Sequence, residues 1–262
     1  MIFKRAAIII PTLNEKESIG PLVDKLFNQT FPALPHWECS VVVVDGNSSD
    51  GTAALIQSRQ AKYDNLKLIL EDRPEGLGAA YAKGFIYAMH ALQANVVVEF
   101  DGDSQHPPEI IPALLERLDA GCDYVLGSRQ IRGGSFCPQL GLTRKFLSIM
   151  AGLLIRLMLF SHSPGFFRIT DPTTGLRALR VAGFADHINF AALRDKGFSY
   201  KLILLHQMVK LGALVAEIPL NFQPRTIGTS KLTAPAAWEM LHCILALRWQ
   251  DLTSGNSNIP FS

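Results

Sequence analysis

The chain has 262 residues, 48 % of them hydrophobic and 18 % charged, which is enough for one large α/β domain or two small ones. A net charge of only +2 argues against general nucleic-acid binding through a basic face. Cys39, Cys122, Cys137 and Cys243 are widely spaced with no Cys-x-x-Cys pair, which argues against zinc and fits reduced thiols in a cytosolic setting.

Short apolar runs alternate with helical patterns over the first half. The apolar run at 6–10 is stopped by Pro11 and reads as a first strand, not a signal peptide. Further strands are expected at 40–44, 66–70, 96–100 and 124–126, with helices at 15–28, 51–63, 77–92 and 108–120. Such repetition predicts a mostly parallel sheet covered on both faces. In sheets of that kind ligands bind beyond the carboxyl ends of the strands, and polar residues collect there in this chain.

The second half differs. Gly133-Gly134 and Pro138 mark a loop. Residues 146–160 are almost wholly apolar, interrupted by Ser148 and Arg156. That is too short to cross a bilayer, which needs about 20 apolar residues. It suits either a buried core helix or a helix lying in a membrane surface, with Arg144, Lys145 and Arg156 near lipid phosphates. At 234–252, Trp238, Leu241, Ile244, Leu245 and Trp249 recur at helical spacing, which fits an interfacial helix, core packing or a dimer contact. The tail at 253–262 is polar.

The chemistry centres on the strand expected at 96–100. It runs into Asp101, Asp103 and Gln105 before Pro107-Pro108 ends it. Two carboxylates and an amide oxygen make a pocket for a hard cation such as Mg²⁺ or Mn²⁺, which usually serves a phosphate. The same aspartates could merely cap a helix and shape a turn. After the first strand, Asn14 can cap the next helix and Glu15 sits at its positive end, and both can also bond a base or ribose. After the second, Asp45 can accept from a base or ribose, and Asp50 or Ser49 can cap. Gly76-Leu77-Gly78 lacks the third glycine of a dinucleotide fingerprint, since Tyr81 stands there. Arg129, Arg132, Arg177, Arg225 and Lys231 sit on glycine-bearing loops, which suits phosphate recognition or solvated surface charge.

Together these stretches resemble the family 2 glycosyltransferases, in particular the dolichyl-phosphate (polyprenol-phosphate) mannosyltransferase type. The resemblance rests on Pro11-Thr12-x-Asn14-Glu15, Val44-Asp45 through Asp50-Gly51-Thr52, Arg73 with Gly76-Leu77-Gly78, and Asp101-x-Asp103-x-Gln105-His106-Pro107. It continues through Gly127-Ser128-Arg129, Gly133-Gly134, Asp171-x-Thr173-x-Gly175-x-Arg177, and Glu217-x-Pro219 with Arg225, Gly228, Ser230 and Lys231.

The resemblance implies a GT-A fold at 1–232, followed by an amphipathic helix and polar tail at 233–262. It implies inverting transfer of a sugar, typically mannose from GDP-mannose, to a polyprenyl phosphate. By matching positions Pro11, Asn14, Glu15 and Asp45 hold the nucleotide, while Asp101, Asp103 and Gln105 bind Mg²⁺ or Mn²⁺, with Asp103 decisive. Arg129, Arg225 and Lys231 meet donor or acceptor phosphates. The expected setting is peripheral, on the cytoplasmic face of a membrane, with room for an integral-membrane partner or a second copy.

Three positions depart from the family pattern. Gly46 stands where a second aspartate is frequent, and Lys201 and Ile203 stand where glutamine and glutamate are frequent. Gly46 motivates a UDP-sugar donor such as UDP-glucose. All three together motivate a non-catalytic protein that binds a nucleotide or anchors a membrane partner.

Overall fold

A computed structural model describes residues 4–159, 169–224 and 234–253. Seven strands form one sheet: β1 (Lys4–Thr12), β2 (Trp37–Asp45), β3 (Leu66–Leu70), β4 (Val96–Glu99), β5 (Tyr124–Ser128), β6 (Arg177–Arg180) and β7 (Val215–Pro219). Their order is β3-β2-β1-β4-β6-β5-β7. All pairings are parallel except those of β6, which runs against both β4 and β5. The β1–β2 register sets Thr12 beside Asp45, so the loops that follow leave the same edge.

Both faces of the sheet are buried, which is why its strands are continuous β-branched runs. Alternate residues of β1 enter opposite layers, Ile8 and Ile10 on one side and Ala7 and Ile9 on the other. The first layer is closed by α1 (Lys16–Lys25), α2 (Thr52–Gln60) and α4 (Ile111–Asp119) through Ile19, Leu22, Ile56, Leu114 and Leu118. The second holds α3 (Leu77–His90) and α6 (Tyr200–Lys210), with Phe85, Leu204, Leu205 and Met208 inside. It also receives Ile155 from α5 (Leu142–Leu159), and Ile244 and Leu247 from α7 (Ala234–Thr253). The C-terminal helix therefore shares the core of the sheet.

The strands and helices expected from the first half are all present, with ends shifted by a few residues. The helix expected at 15–28 continues beyond α1 through a wide π turn, Leu26–Thr30, and a 3₁₀ turn, Phe31–Ala33. The helix expected at 108–120 begins as a 3₁₀ turn at Pro108–Ile110. Strands β6 and β7 lie beyond the expected set. β6 is four residues long with arginine at each end, and β7 ends in proline, so neither shows an apolar run.

α3 packs unusually close to β1 because Gly84 has no side chain. A Cβ there would overlap Cγ2 of the buried Ile9. Gly84→Ala is expected to lower stability by about 1–3 kcal/mol through overpacking, measured by denaturant unfolding.

Candidate active site

The loops after β1 and β2 are stitched to each other. Asp45 has no solvent exposure. Its Oδ2 accepts from the hydroxyls of Thr12 at 2.8 Å and Ser48 at 2.7 Å, and its Oδ1 accepts from the Ser48 amide at 2.8 Å. The Asn14 amide donates to the Ser48 hydroxyl at 2.8 Å, and Asn14 Oδ1 accepts from the Ser49 amide at 2.9 Å. Asn14 thus ties the two loops rather than capping α1. Asp50 does the capping, accepting from the amides of Lys16 at 3.0 Å and Thr52 at 2.9 Å, the first residues of α1 and α2. In these positions Asp45 and Asn14 shape the loops.

After β4 come the two carboxylates. The Asp101 side chain is 30 % exposed. Its Oδ1 accepts from the Tyr81 hydroxyl at 3.0 Å and lies 3.6 Å from Lys201 Nζ, while its Oδ2 lies 3.9 Å from His106 Nε2. Burial disfavours its charge, but Lys201, His106 and the Tyr81 hydroxyl outweigh that and hold its pKa at about 2. Asp103 is nearly buried and accepts from the Gln105 amide at 3.1 Å. The Gln105 side-chain amide donates to the Gln223 carbonyl at 3.3 Å, which brings Gln105 against the chain that follows β7. Burial keeps the His106 pKa below its ordinary value despite Asp101 and Asp103. Among the described residues no three His, Cys, Asp or Glu gather into a metal cage.

The wall opposite is built by the segment preceding β6. Arg129 Nε and Nη2 donate to Asp171 in a bidentate pair, both at 2.7 Å, and its Nη2 reaches Thr173 at 3.1 Å. Burial raises the Asp171 pKa less than Arg129 lowers it, so this carboxylate is held below its usual range. Glu217 of β7 accepts from the amides of Thr170 and Asp171 at 3.0 and 2.8 Å. Arg177 has no solvent exposure and donates to the carbonyls of Thr174 at 3.0 Å, Pro172 at 2.8 Å and Lys201, and to the Tyr124 hydroxyl at 3.1 Å. The motif residues Asp171, Glu217 and Arg177 therefore secure the wall. Arg129, expected to meet phosphates, spends one edge of its guanidinium on Asp171 and keeps only part of it for a ligand. Arg225 and Lys231 lie outside the described residues, as do Gly228 and Ser230.

Lys201, Tyr81, His106 and Gly175 complete the surroundings of Asp101. The sequence marked Lys201 only as a departure, and no local pattern links it to a carboxylate one hundred residues earlier. Gly175 has a steric role: a Cβ there would press into Asp101 Oδ2 and stand 3.1 Å from both His106 Cε1 and Lys201 Nζ.

A mostly parallel sheet with paired carboxylates beyond β4 and a polar wall facing them defines a GT-A glycosyltransferase. Residues 7–168 match the glycosyl transferase family 2 profile, and the chain belongs to that family. It is 33 % identical to an undecaprenyl-phosphate mannosyltransferase of Micrococcus luteus, over 95 % of this chain and 97 % of that one. It is also 33 % identical to a polyprenol monophosphomannose synthase of Mycolicibacterium smegmatis, over 88 % of this chain and 82 % of that one. Among solved structures, mannosyl-3-phosphoglycerate synthase from Rubrobacter xylanophilus superposes with a TM-score of 0.65 at 17 % identity, over 99 % of this chain and 78 % of that one. Glucosyl-3-phosphoglycerate synthase from Mycobacterium tuberculosis, in complex with Mn²⁺, UDP-glucose and phosphoglyceric acid, gives 0.61 at 18 %, over 94 % and 80 %. At those identities the likeness concerns the fold.

Gly175→Ala is expected to cut sugar transfer roughly a hundredfold by displacing the Asp101 carboxylate. The melting temperature should fall by only a few degrees, because the clash is with the end of a side chain. Steady-state kinetics and a thermal melt on the same preparation check both.

Proposed function

We propose that this enzyme moves mannose from GDP-mannose to a polyprenyl phosphate at a membrane surface, with inversion at the anomeric carbon. The observation that carries the reading is the contact between an exposed apolar helix and the wall of the site. Gly152 of α5 faces Pro172, Thr170 and Gln130, so a Cβ there would lie 3.5 Å from the first two and 3.7 Å from the third. These residues adjoin the Arg129–Asp171 pair. Elsewhere α5 exposes Leu142, Phe146, Leu147 and Leu157, and α7, packed beside it, exposes Trp238, Leu245, Trp249 and Leu252. An apolar surface of this extent next to a phosphate-handling wall suits an acceptor with a lipid tail and a phosphate head. Of the two sequence readings of 146–160, this arrangement favours the interfacial one. Among the described residues no helix is long and apolar enough to cross a membrane, which fits peripheral attachment.

Asp101, Asp103 and Gln105 would hold Mg²⁺ or Mn²⁺. The donor set fits a hard cation: Asp101 is ionised, Asp103 follows two residues later, and both leave the end of one strand. When bound, that cation neutralises the charge developing on the diphosphate as it departs. Pro11, near the end of β1, and Glu15, on the loop fixed by Asn14 and Asp45, would frame the nucleotide. The free part of the Arg129 guanidinium, with Arg225 and Lys231, would offset the charge of the two phosphates that must approach each other. An acceptor phosphate is already ionised near neutral pH, so it can attack without a general base once it is aligned. Gly46 keeps a second donor in view. Its missing Cβ would lie 3.5 Å from Glu71 Oε2, so an acid at that position would face another carboxylate.

Transfer from radiolabelled GDP-mannose to a short polyprenyl phosphate tests the reading. Label should enter the lipid phase with Mg²⁺ or Mn²⁺ and not with chelator, and Asp103→Ala should reduce it at least about a hundredfold. Label from UDP-glucose but not GDP-mannose would replace the donor; full activity of Asp103→Ala would remove the assignment of that residue. Separately, replacing Trp238 and Trp249 with serine should weaken co-sedimentation with phospholipid vesicles about tenfold or more while leaving the circular dichroism spectrum unchanged.

A further inference from the structure

Lys201 is the second residue of α6, and its side chain is 9 % exposed. Its ammonium lies 3.6 Å from Asp101 Oδ1, donates to the Gly175 carbonyl at 3.3 Å, and rests over the rings of Tyr81 at 5.2 Å and Tyr200 at 5.9 Å. The space around it is closed. Gly175 covers it on one side, and the two tyrosines, both buried, lie on the other. The neighbouring cation, Arg177, is engaged with carbonyls and the Tyr124 hydroxyl and lies 3.8 Å from Glu99. Among the described residues Lys201 is thus the ammonium or guanidinium that directly adjoins Asp101, and it is largely buried.

We propose that Lys201 is a positioning residue that acts as a resident counter-ion for Asp101, weakening the site for a free divalent cation so that the cation enters together with the donor diphosphate. The proposal rests on the reading of Asp101 and Asp103 as the cation's carboxylates. Its physical basis is like-charge repulsion. A divalent ion on Asp101 would share that carboxylate with an ammonium that packing prevents from retreating, where charges are only partly screened. A diphosphate brings its own negative charge and offsets this repulsion. The charge at position 201 thereby sets how far cation binding depends on the donor.

The test is Mn²⁺ affinity without nucleotide, followed by electron paramagnetic resonance on the full chain at pH 7.5. Lys201→Met keeps the apolar stem and removes the charge, and Lys201→Gln is the second variant. Either one, shown to be folded by its thermal melt, is expected to bind Mn²⁺ about tenfold or more tightly than the parent. The gain should shrink when GDP is added and should vanish in an Asp101→Asn background. Unchanged or weaker Mn²⁺ binding in the folded variants would overturn the proposal, and so would an equal gain with Asp101→Asn. Failure of both variants to fold would assign Lys201 a structural role instead. If Asp101→Asn and Asp103→Ala bind Mn²⁺ as the parent does, the carboxylate reading itself fails and takes this inference with it.

Discussion

An arginine sealed from water must have its donors satisfied inside the protein, and Arg177 imposes that requirement on everything near the site. Its guanidinium gathers the carbonyls of Pro172, Thr174 and Lys201 and the Tyr124 hydroxyl. Behind it stands Glu99, also without solvent exposure, whose pKa is raised by burial despite the nearby Arg177 and Lys201. The wall that faces Asp101 is therefore fastened from beneath. The Asp171–Arg129 pair and the Glu217 contacts above it stand on a segment whose path is already fixed by hydrogen bonds to one buried charge. Removing that charge would leave several carbonyls and a carboxylate buried without partners, which is far more costly than losing an exposed ion pair.

The loops after β1, β2 and β4 are held differently. Asn14, Asn47 and Ser104 have positive φ values of 55°, 61° and 63°, and each lies in a loop that follows a strand end of the site. Such conformations are uncommon for residues with a side chain and persist only where surrounding contacts over-determine them. Those contacts are visible for the first two: Asn14 is tied to Ser48 and Ser49, and the Asn47 side chain donates to the Asp72 carbonyl at 2.9 Å. The rim thus combines backbone that is locally unfavourable with a hydrogen-bond network that leaves it little choice.

The sheet was legible in the sequence wherever burial on both faces forced a β-branched run, as at residues 41–44 and 96–98. β6 was not, because its stabilising residue is an arginine and only the folded protein shows that this arginine is inside. The carboxylates beyond β4 were legible for the same reason as their strand. Local sequence could not show which polar residues turn inward. Asp45 and Asn14 had the chemistry of ligands and also the chemistry of loop fasteners, and the structure uses their hydrogen bonds for fastening. Arg129 was read for phosphate contact or solvated charge, because its partner, Asp171, lies forty-two residues away. Lys201 stood out as a departure, but its nearness to Asp101 follows from the packing of α6 against the sheet.

The reversed direction of β6 has a topological consequence. β5 ends and β6 begins at the same edge of the sheet, side by side, so the chain between them leaves and returns through one doorway. That excursion carries both Arg129 and Asp171, along with the whole of α5. Closing a longer excursion adds little entropy, because the cost grows only with the logarithm of its length. Its contents can accordingly be exchanged without altering the register of any parallel strand. The fold separates a chassis of parallel strands from one long insertion that carries Arg129, Asp171 and α5.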